Sequence, residues 1–413
     1  MSKISLKHSG GNVVSLNSPT NAPGAADVAF KLPNADGSDG QALGTEGAGK
    51  LRFGNVAGGS ARNLVITGAC LIAQRATSST STGYASVDRF NLYHANTGVT
   101  ITQSQQSSAS SDTPYTLGFR KFFRMALASA GTANANAEIG LYYNLEAQDV
   151  ANSGWNHTSS TSNITLSFWF RCSTNQTFYA YLRTRDGTNY TYPFSFTASG
   201  NNAWTKITKT IPGNSNLQID NDNERGLSIS IIPFYGTDLT NNLSLDQWSA
   251  YDTANRMPDM ASTWLTAGAS TFDITGIQLE VGSVATDFEH RSYADEVKLC
   301  ERYFQTSFEK GQAPTHGLTK YVYRMTRPFA SNIVTGMGCE LRTEMRATPT
   351  TIIYTTSNGS NSTTNRVSYY DGSWTSAAIS IHESLNTKSI AFDGTLSSSA
   401  VLYQFNFTCE SEL

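Results

Sequence analysis

The sequence predicts a mainly β chain with an N-terminal arm, an antiparallel jelly-roll-like sandwich, one short helix and a small C-terminal β domain. Alternating apolar and polar runs recur from about residue 61 to about 290, separated by turn residues and without helical spacing between them. Charged residues make up only 15% of the 413, against about 25% in typical soluble chains. The Ser, Thr and Asn that replace them compete for backbone hydrogen bonds and so favour turns and strands over helices.

Residues 1–60 form the arm. Strand-like pieces lie at Ile4–Leu6, Val13–Leu16, Val28–Leu32 and Leu51–Phe53, each too short to bury a core alone. Turns are expected at Asp36-Gly37, Asp39-Gly40 and Ala48-Gly49. The sandwich occupies 61–293. Ile164, Leu166, Phe168 and Phe170 alternate with Thr165, Ser167, Trp169 and Arg171, the period-two signature of a half-buried strand. Phe178, Ala180 and Leu182 alternate with Tyr179, Tyr181 and Arg183, and Asp186-Gly187 turns into Tyr190, Tyr192, Phe194 and Phe196. Leu227, Ile229, Ile231 and Phe234 add a further strand, and Ile274, Ile277, Leu279 and Val281 the closing one. Residues 294–309 are read as a linking helix: Ser292 precedes Asp295 as an N-cap, and Val297, Cys300, Tyr303 and Phe304 share a face. Residues 310–413 form the distal unit, a second small sandwich with strands at 351–355, 366–370, 377–381 and 401–407. No fixed-period repeat implies a solenoid or collagen-like shaft.

The net charge of −3 and the absence of a basic stripe exclude general attraction to nucleic acid or an anionic membrane. Five scattered cysteines without a CxxC pair read as buried thiols, and the six histidines show no metal or catalytic spacing. The amino terminus lacks a signal-peptide core and no run of 18 apolar residues occurs, so synthesis in the cytoplasm without membrane insertion is expected. No hydrolase elbow, nucleotide loop or zinc-protease motif is present, and the expectation is a protein that is not an enzyme.

The block Asp273–Gln305 (DITGIQLEVGSVATDFEHRSYADEVKLCERYFQ), through Gln278, Glu280, Gly282, Ala285, Thr286, Phe288, Glu289, Arg291, Cys300, Arg302, Tyr303 and Phe304, resembles the terminal block of tail-fibre and virion structural proteins of marine tailed phages. Gln74-Arg75 and Asp88-Arg89-Phe90 look like the opening of the same carbohydrate-binding-module-like β-sandwich, and Leu32–Gly54 is similar to the attachment arms of such fibres. The resemblance implies a homotrimeric receptor-binding protein on the phage tail. It would be anchored by residues 1–60 to a tail or portal-associated virion protein and would contact host cell-surface glycan. A capsid, neck or head-fibre decoration protein is the alternative, and a glycan-degrading tailspike a further one. Glu280 and Glu289 are expected to tie the closing strand to the rest of the fold.

Sugar recognition needs flat aromatic surface ringed by polar groups. Trp169, Tyr179, Tyr181 and Arg183, with Arg171, would supply it if their two strands are neighbours, although the same face would serve as a subunit interface. Tyr369, Tyr370 and Trp374 around Asp371-Gly372 form a second candidate on a loop, against the alternative of a small distal core. Asp220, Asp222 and Glu224 offer oxygens for a structural calcium without the spacing of a recognised loop, a plain turn being the alternative. The carboxylates Glu146, Asp149 and Asp246, with that run, are the candidates for any glycosidase pair.

Overall fold

The computed structural model describes residues 3–7, 13–17, 41–47, 50–55, 62–320, 322–326, 333–356, 364–381, 386–395 and 402–413. The chain divides into two units, Met1–Ser60 and Ala61–Leu413. In the first, β1 (Lys3–Lys7) pairs antiparallel with β2 (Val13–Asn17), and β3 (Gln41–Gly47) with β4 (Lys50–Asn55). The expected strand at Val28–Leu32 and the turns at Asp36, Asp39 and Ala48 lie outside the described residues.

The second unit opens with a sandwich. Its strands are β5 (Ser78–Ser79), β6 (Asn91–Ala95), β7 (Ile101–Ser107), β8 (Lys121–Leu127), β9 (Glu138–Glu146), β10 (Asn163–Cys172), β11 (Asn175–Thr184), β12 (Tyr190–Ser199), β13 (Thr205–Pro212), β14 (Arg225–Tyr235), β15 (Ser249–Ala250) and β16 (Thr271–Val281). One sheet runs β13-β10-β16-β8-β7-β5 and the other β15-β12-β11-β14-β9-β6, all antiparallel. The expected mainly β, jelly-roll-like sandwich is therefore the architecture. Its centre is aromatic: Phe168 and Phe170 from one sheet meet Phe178 and Phe196 from the other, with Phe272 and Trp264 beside them. Phe170 and Phe196 sit edge to face at 4.9 Å, the geometry that ring quadrupoles favour.

That core corrects one expectation. β10 and β11 are consecutive but not neighbours, because the short Ser173-Thr174 link carries the chain from one sheet to the other. The apolar sets of the two strands must face each other across the core, so their polar sets point to opposite sides of the molecule.

The helix is shorter than expected. Ser292 caps it, its hydroxyl accepting from the Asp295 amide at 3.1 Å, but it ends at Glu301 and spans Tyr293–Glu301. The next residues form a strand, Phe304–Thr306, paired with Thr408–Glu410. Three shorter helices, Thr113–Thr116, Ala147–Ala151 and Thr263–Thr266, occur inside sandwich connections. The distal strands fall at Thr350–Tyr354, Arg366–Tyr370, Trp374–Ile381 and Leu402–Glu410, close to the expected places. They do not build a second sandwich. The long strand Leu402–Glu410 pairs along both edges, and one curled eight-stranded sheet wraps a single core of Phe405, Phe407, Phe392, Ile353 and Val367.

The residues that carry the resemblance meet in a buried network that joins the sandwich to the helix and the distal sheet. Glu280 accepts from the Thr286 amide at 2.9 Å and its hydroxyl at 2.5 Å, while Glu289 accepts from the Asn63 amide at 2.6 Å. The Gln74 side chain donates to Asp88 at 2.7 Å and to the Phe304 carbonyl at 2.8 Å. Arg75 stacks over Phe304 at 3.8 Å and Arg89 over Tyr303 at 3.3 Å, and both guanidinium groups pair with Glu412. Arg302 clamps the fully buried Glu146 carboxylate at 2.6 and 2.7 Å, with the Tyr303 hydroxyl donating to it at 2.5 Å. Two stretches more than two hundred residues apart are thus halves of one joint.

Burial pushes Asp88 up from 3.8 to about 6, against the opposing charge of Arg75. The folded protein holds this proton more tightly than the unfolded chain, so the contribution is full below 3.8 and is lost as pH rises through about 6. Asp88→Asn is expected to flatten the corresponding fall in unfolding free energy, roughly 3 kcal/mol at most. Urea titrations across that pH window check it, and an unchanged slope would count against Asp88 as the source.

Candidate functional site

The outer face of the second sheet carries the most developed candidate. Along β11, the residues that alternate with buried Phe178, Ala180 and Leu182 are Tyr179, Tyr181 and Arg183. On β14 and β9, Ser230 lies opposite Tyr181 and Tyr142 opposite Ser230, and Tyr142 lies opposite Asn91 on β6. The connection from Gly236 to Ser262 folds back over part of this face. Its Met257 is buried with Tyr181, Ile232 and Tyr235, and Tyr179 packs at the rim of that cluster. What stays open is a cleft of about 320 Å³ lined by Tyr93, Tyr142, Tyr181 and Tyr251, by Arg183, Arg185, Arg225 and Arg256, and by Asn91, Asn144, Glu138 and Leu413.

The cleft is held by its own polar contacts. Arg256 pairs with Glu138 at 2.9 Å, and Glu138 also accepts from the Tyr142 hydroxyl at 2.7 Å. Arg183 stacks on the Tyr251 ring at 3.4 Å, and Arg185 donates to the Ser228 hydroxyl at 2.8 Å. Burial lowers Arg183 from its ordinary value, and burial followed by the charges of Arg183 and Arg225 pulls Arg185 down to about 10. Burial opposes the charge of Arg256 too, but Tyr235, Tyr251 and Glu138 outweigh it and hold it above its ordinary value. Tyr93 is 44% exposed and offers its ring to solvent at the rim.

Trp169 belongs elsewhere. It lies on the outer face of the first sheet, in a separate hollow of about 290 Å³ with Phe119, Phe288, His290 and Lys206. Gly276 makes that hollow possible: it sits at φ +63 where the register of β16 shifts against β10, and a Cβ there would come within 2.7 Å of Phe119 and 3.2 Å of Trp169. Arg171 pairs with Asp112 at 3.0 Å and Asp273 at 2.8 Å, which fixes it as a structural cation. The expected common face of Trp169 with Tyr179, Tyr181 and Arg183 does not form.

In the distal unit, Tyr370 and Trp374 are paired strand residues flanking the Asp371-Gly372 turn, not loop residues. Their rings lie 5.5 Å apart and are 38% and 42% exposed, and Arg324 approaches Trp374 at 6.0 Å. Tyr369 points the other way, packed against the distal core.

The acidic candidates are engaged locally. Asp222 accepts from the Glu224 amide at 2.9 Å, and the Glu224 carboxylate lies 3.2 Å from Arg346. Among the described residues, no group of three or more His, Cys, Asp or Glu is arranged to hold a metal ion. Glu146 is consumed by Arg302 and Tyr303, and Asp246 pairs with Lys209 at 2.5 Å. All five cysteines are unpaired and four are buried.

Sequence reasoning found Tyr181 and Arg183 but missed Tyr93, Tyr142, Tyr251, Arg185, Arg225 and Arg256. Tyr142 and Asn144 could have been read from the alternation of β9, and Arg185 from extending β11 by one residue. Tyr251 and Arg256 carried no local signal, since only the fold-back of their connection brings them to the sheet.

No protein-family model matches the chain, and no curated protein matches it in sequence. Solved structures do overlap with it. The enzymatically active domain of bacteriophage CBA120 tailspike protein 4 is 10% identical with a TM-score of 0.28, over 51% of this chain and 22% of that one. The family 11 carbohydrate-binding module of the Clostridium thermocellum cellulase Lic26A-Cel5E is 12% identical with a TM-score of 0.26, over 53% and 100%. The N-terminal cellulose-binding domain of Cellulomonas fimi β-1,4-glucanase C is 12% identical with a TM-score of 0.26, over 52% and 99%. Overlaps this distant carry no argument about ligand or role.

Proposed function

We propose that this chain is a non-enzymatic virion protein of a tailed phage, a tail fibre or receptor-binding protein whose sandwich holds host-surface glycan in the tyrosine- and arginine-lined cleft. The observation that carries the glycan reading is the cleft itself. The exposed Tyr93 ring at the rim offers a face on which a pyranose can stack, and guanidinium and amide groups line the cleft beside it as donors to sugar oxygens. The virion role rests on the resemblance of Asp273–Gln305 and of Leu32–Gly54 in the arm. A homotrimer would present three clefts together, so weak individual contacts would act at high effective concentration. The local engagement of Glu146, Asp246 and Glu224 supports the non-enzymatic reading over a tailspike that cleaves its glycan.

Tyr93→Ala is expected to weaken retention on host polysaccharide about tenfold, as loss of one stacking partner should, and to leave the melting temperature unchanged because the ring is 44% exposed. Affinity electrophoresis with calorimetry on the same samples checks both. Equal retention of the two proteins would remove the cleft from the reading. Antibody labelling of intact particles tests the location: label at tail appendages fits a fibre, whereas label spread over the capsid or confined to the neck points to the decoration protein.

A further inference from the structure

The charges of the cleft are unbalanced. Four guanidinium groups, Arg183, Arg185, Arg225 and Arg256, share the cleft with one carboxylate side chain, that of Glu138. Arg256 and Glu138 satisfy each other at 2.9 Å, and a Leu413 oxygen is held by the Tyr84 hydroxyl at 2.9 Å and the Asn144 amide at 3.0 Å. Among the described residues, no carboxylate lies within ion-pair distance of Arg183, Arg185 or Arg225. The chain as a whole is acidic, at −3, so this local excess is not a general property of its surface.

The three arginines without a carboxylate are also positioned. Arg183 lies opposite Ser228 in the β11–β14 register, the Arg185 amide donates to the Gly226 carbonyl at 2.9 Å, and Arg225 opens β14, so all three gather at one end of the same strand pair. Burial lowers Arg185 most, and the charges of Arg183 and Arg225 lower it further.

Resting on the glycan reading above, we infer that the cleft selects acidic glycan, with a sugar-borne oxyanion (a uronate carboxylate or a sulfate ester) received by Arg183, Arg185 and Arg225 while the ring stacks on Tyr93. A neutral sugar would leave the three positive charges of the cleft without a counter-charge. A planar carboxylate, or two oxygens of a tetrahedral sulfate ester, can accept two parallel N–H bonds from a guanidinium fork, a strong and directional neutralisation.

The test titrates the full chain with polygalacturonate and with the same polymer carboxyl-reduced, and in parallel with a sulfated galactan and its desulfated form. Calorimetry is run at low and at moderate salt. At least one acidic polymer is expected to bind about tenfold or more tighter than its neutral partner, with an advantage that shrinks as salt rises. Which pair discriminates distinguishes carboxylate from sulfate. The double variant Arg185→Gln, Arg225→Gln, with unchanged melting, is expected to lose that advantage, so that the acidic polymer binds no tighter than its neutral partner. Equal binding of acidic and neutral forms, weakened alike by Tyr93→Ala, would overturn the acidic selectivity and leave the glycan reading standing. Binding of none of the four polymers would count against both. Acidic binding that survives both the arginine pair variant and Tyr93→Ala would locate the anion elsewhere and overturn the inference.

Discussion

Replacing Glu412 by glutamine is expected to lower the unfolding free energy by roughly 3–5 kcal/mol, the usual cost of breaking a buried ion pair from one side. Glu412 is 5% exposed and is the shared counter-charge of Arg75 and Arg89, whose side chains are 9% and 1% exposed. After the substitution Arg89 would keep the Asn144 carbonyl at 2.6 Å and the Tyr303 ring at 3.3 Å, but no anion. A buried guanidinium cannot escape the penalty by giving up its proton, so the joint between sandwich and distal sheet must open or admit water. The internal control is Glu410→Gln. Glu410 also approaches Arg75, at 3.2 Å, but is 45% exposed and should change stability by less than about 1 kcal/mol. Urea unfolding followed by tryptophan fluorescence compares the two, and equal losses would show that burial does not decide the effect.

Phe170→Ala and Trp169→Ala form the second pair, adjacent in sequence and opposite in expected consequence. Phe170 is fully buried among Phe168, Phe178, Phe196 and Phe272, so its truncation is expected to cost roughly 3–5 kcal/mol through lost burial and the cavity left behind. Trp169 stands on the other face of β10, over the hollow beside Gly276, and its loss should cost no more than about 2 kcal/mol. Thermal unfolding of both variants checks the order. A reversal would mean that β10 is turned over by one residue, which would invert every side chain along it.

Much of the architecture comes from local chemistry that the sequence carries openly. Ile164 to Arg171 and Phe178 to Arg183 could be assigned inward and outward faces because a strand alternates sides regardless of its partners. The start of the helix was legible because Ser292 and Asp295 are a short-range cap. Its end was not. Tyr303 and Phe304 continue the apolar spacing, and only pairing with Thr408–Glu410, about a hundred residues away, draws Phe304 into a strand.

The binding face shows the same division. The sequence by itself determined that Tyr179, Tyr181 and Arg183 share one side of a strand, and that Trp169 and Arg171 share one side of another. Only the tertiary structure decided that those strands belong to different sheets. The same is true of Tyr251 and Arg256, which return to Tyr181 and Arg183 from a distant connection, and of Arg75 and Arg89, which wait in the first third of the sandwich for Glu412. The reason is one of range: alternation and capping are set by bonds within a few residues, whereas sheet membership and charge pairing are set by which surfaces the core brings together.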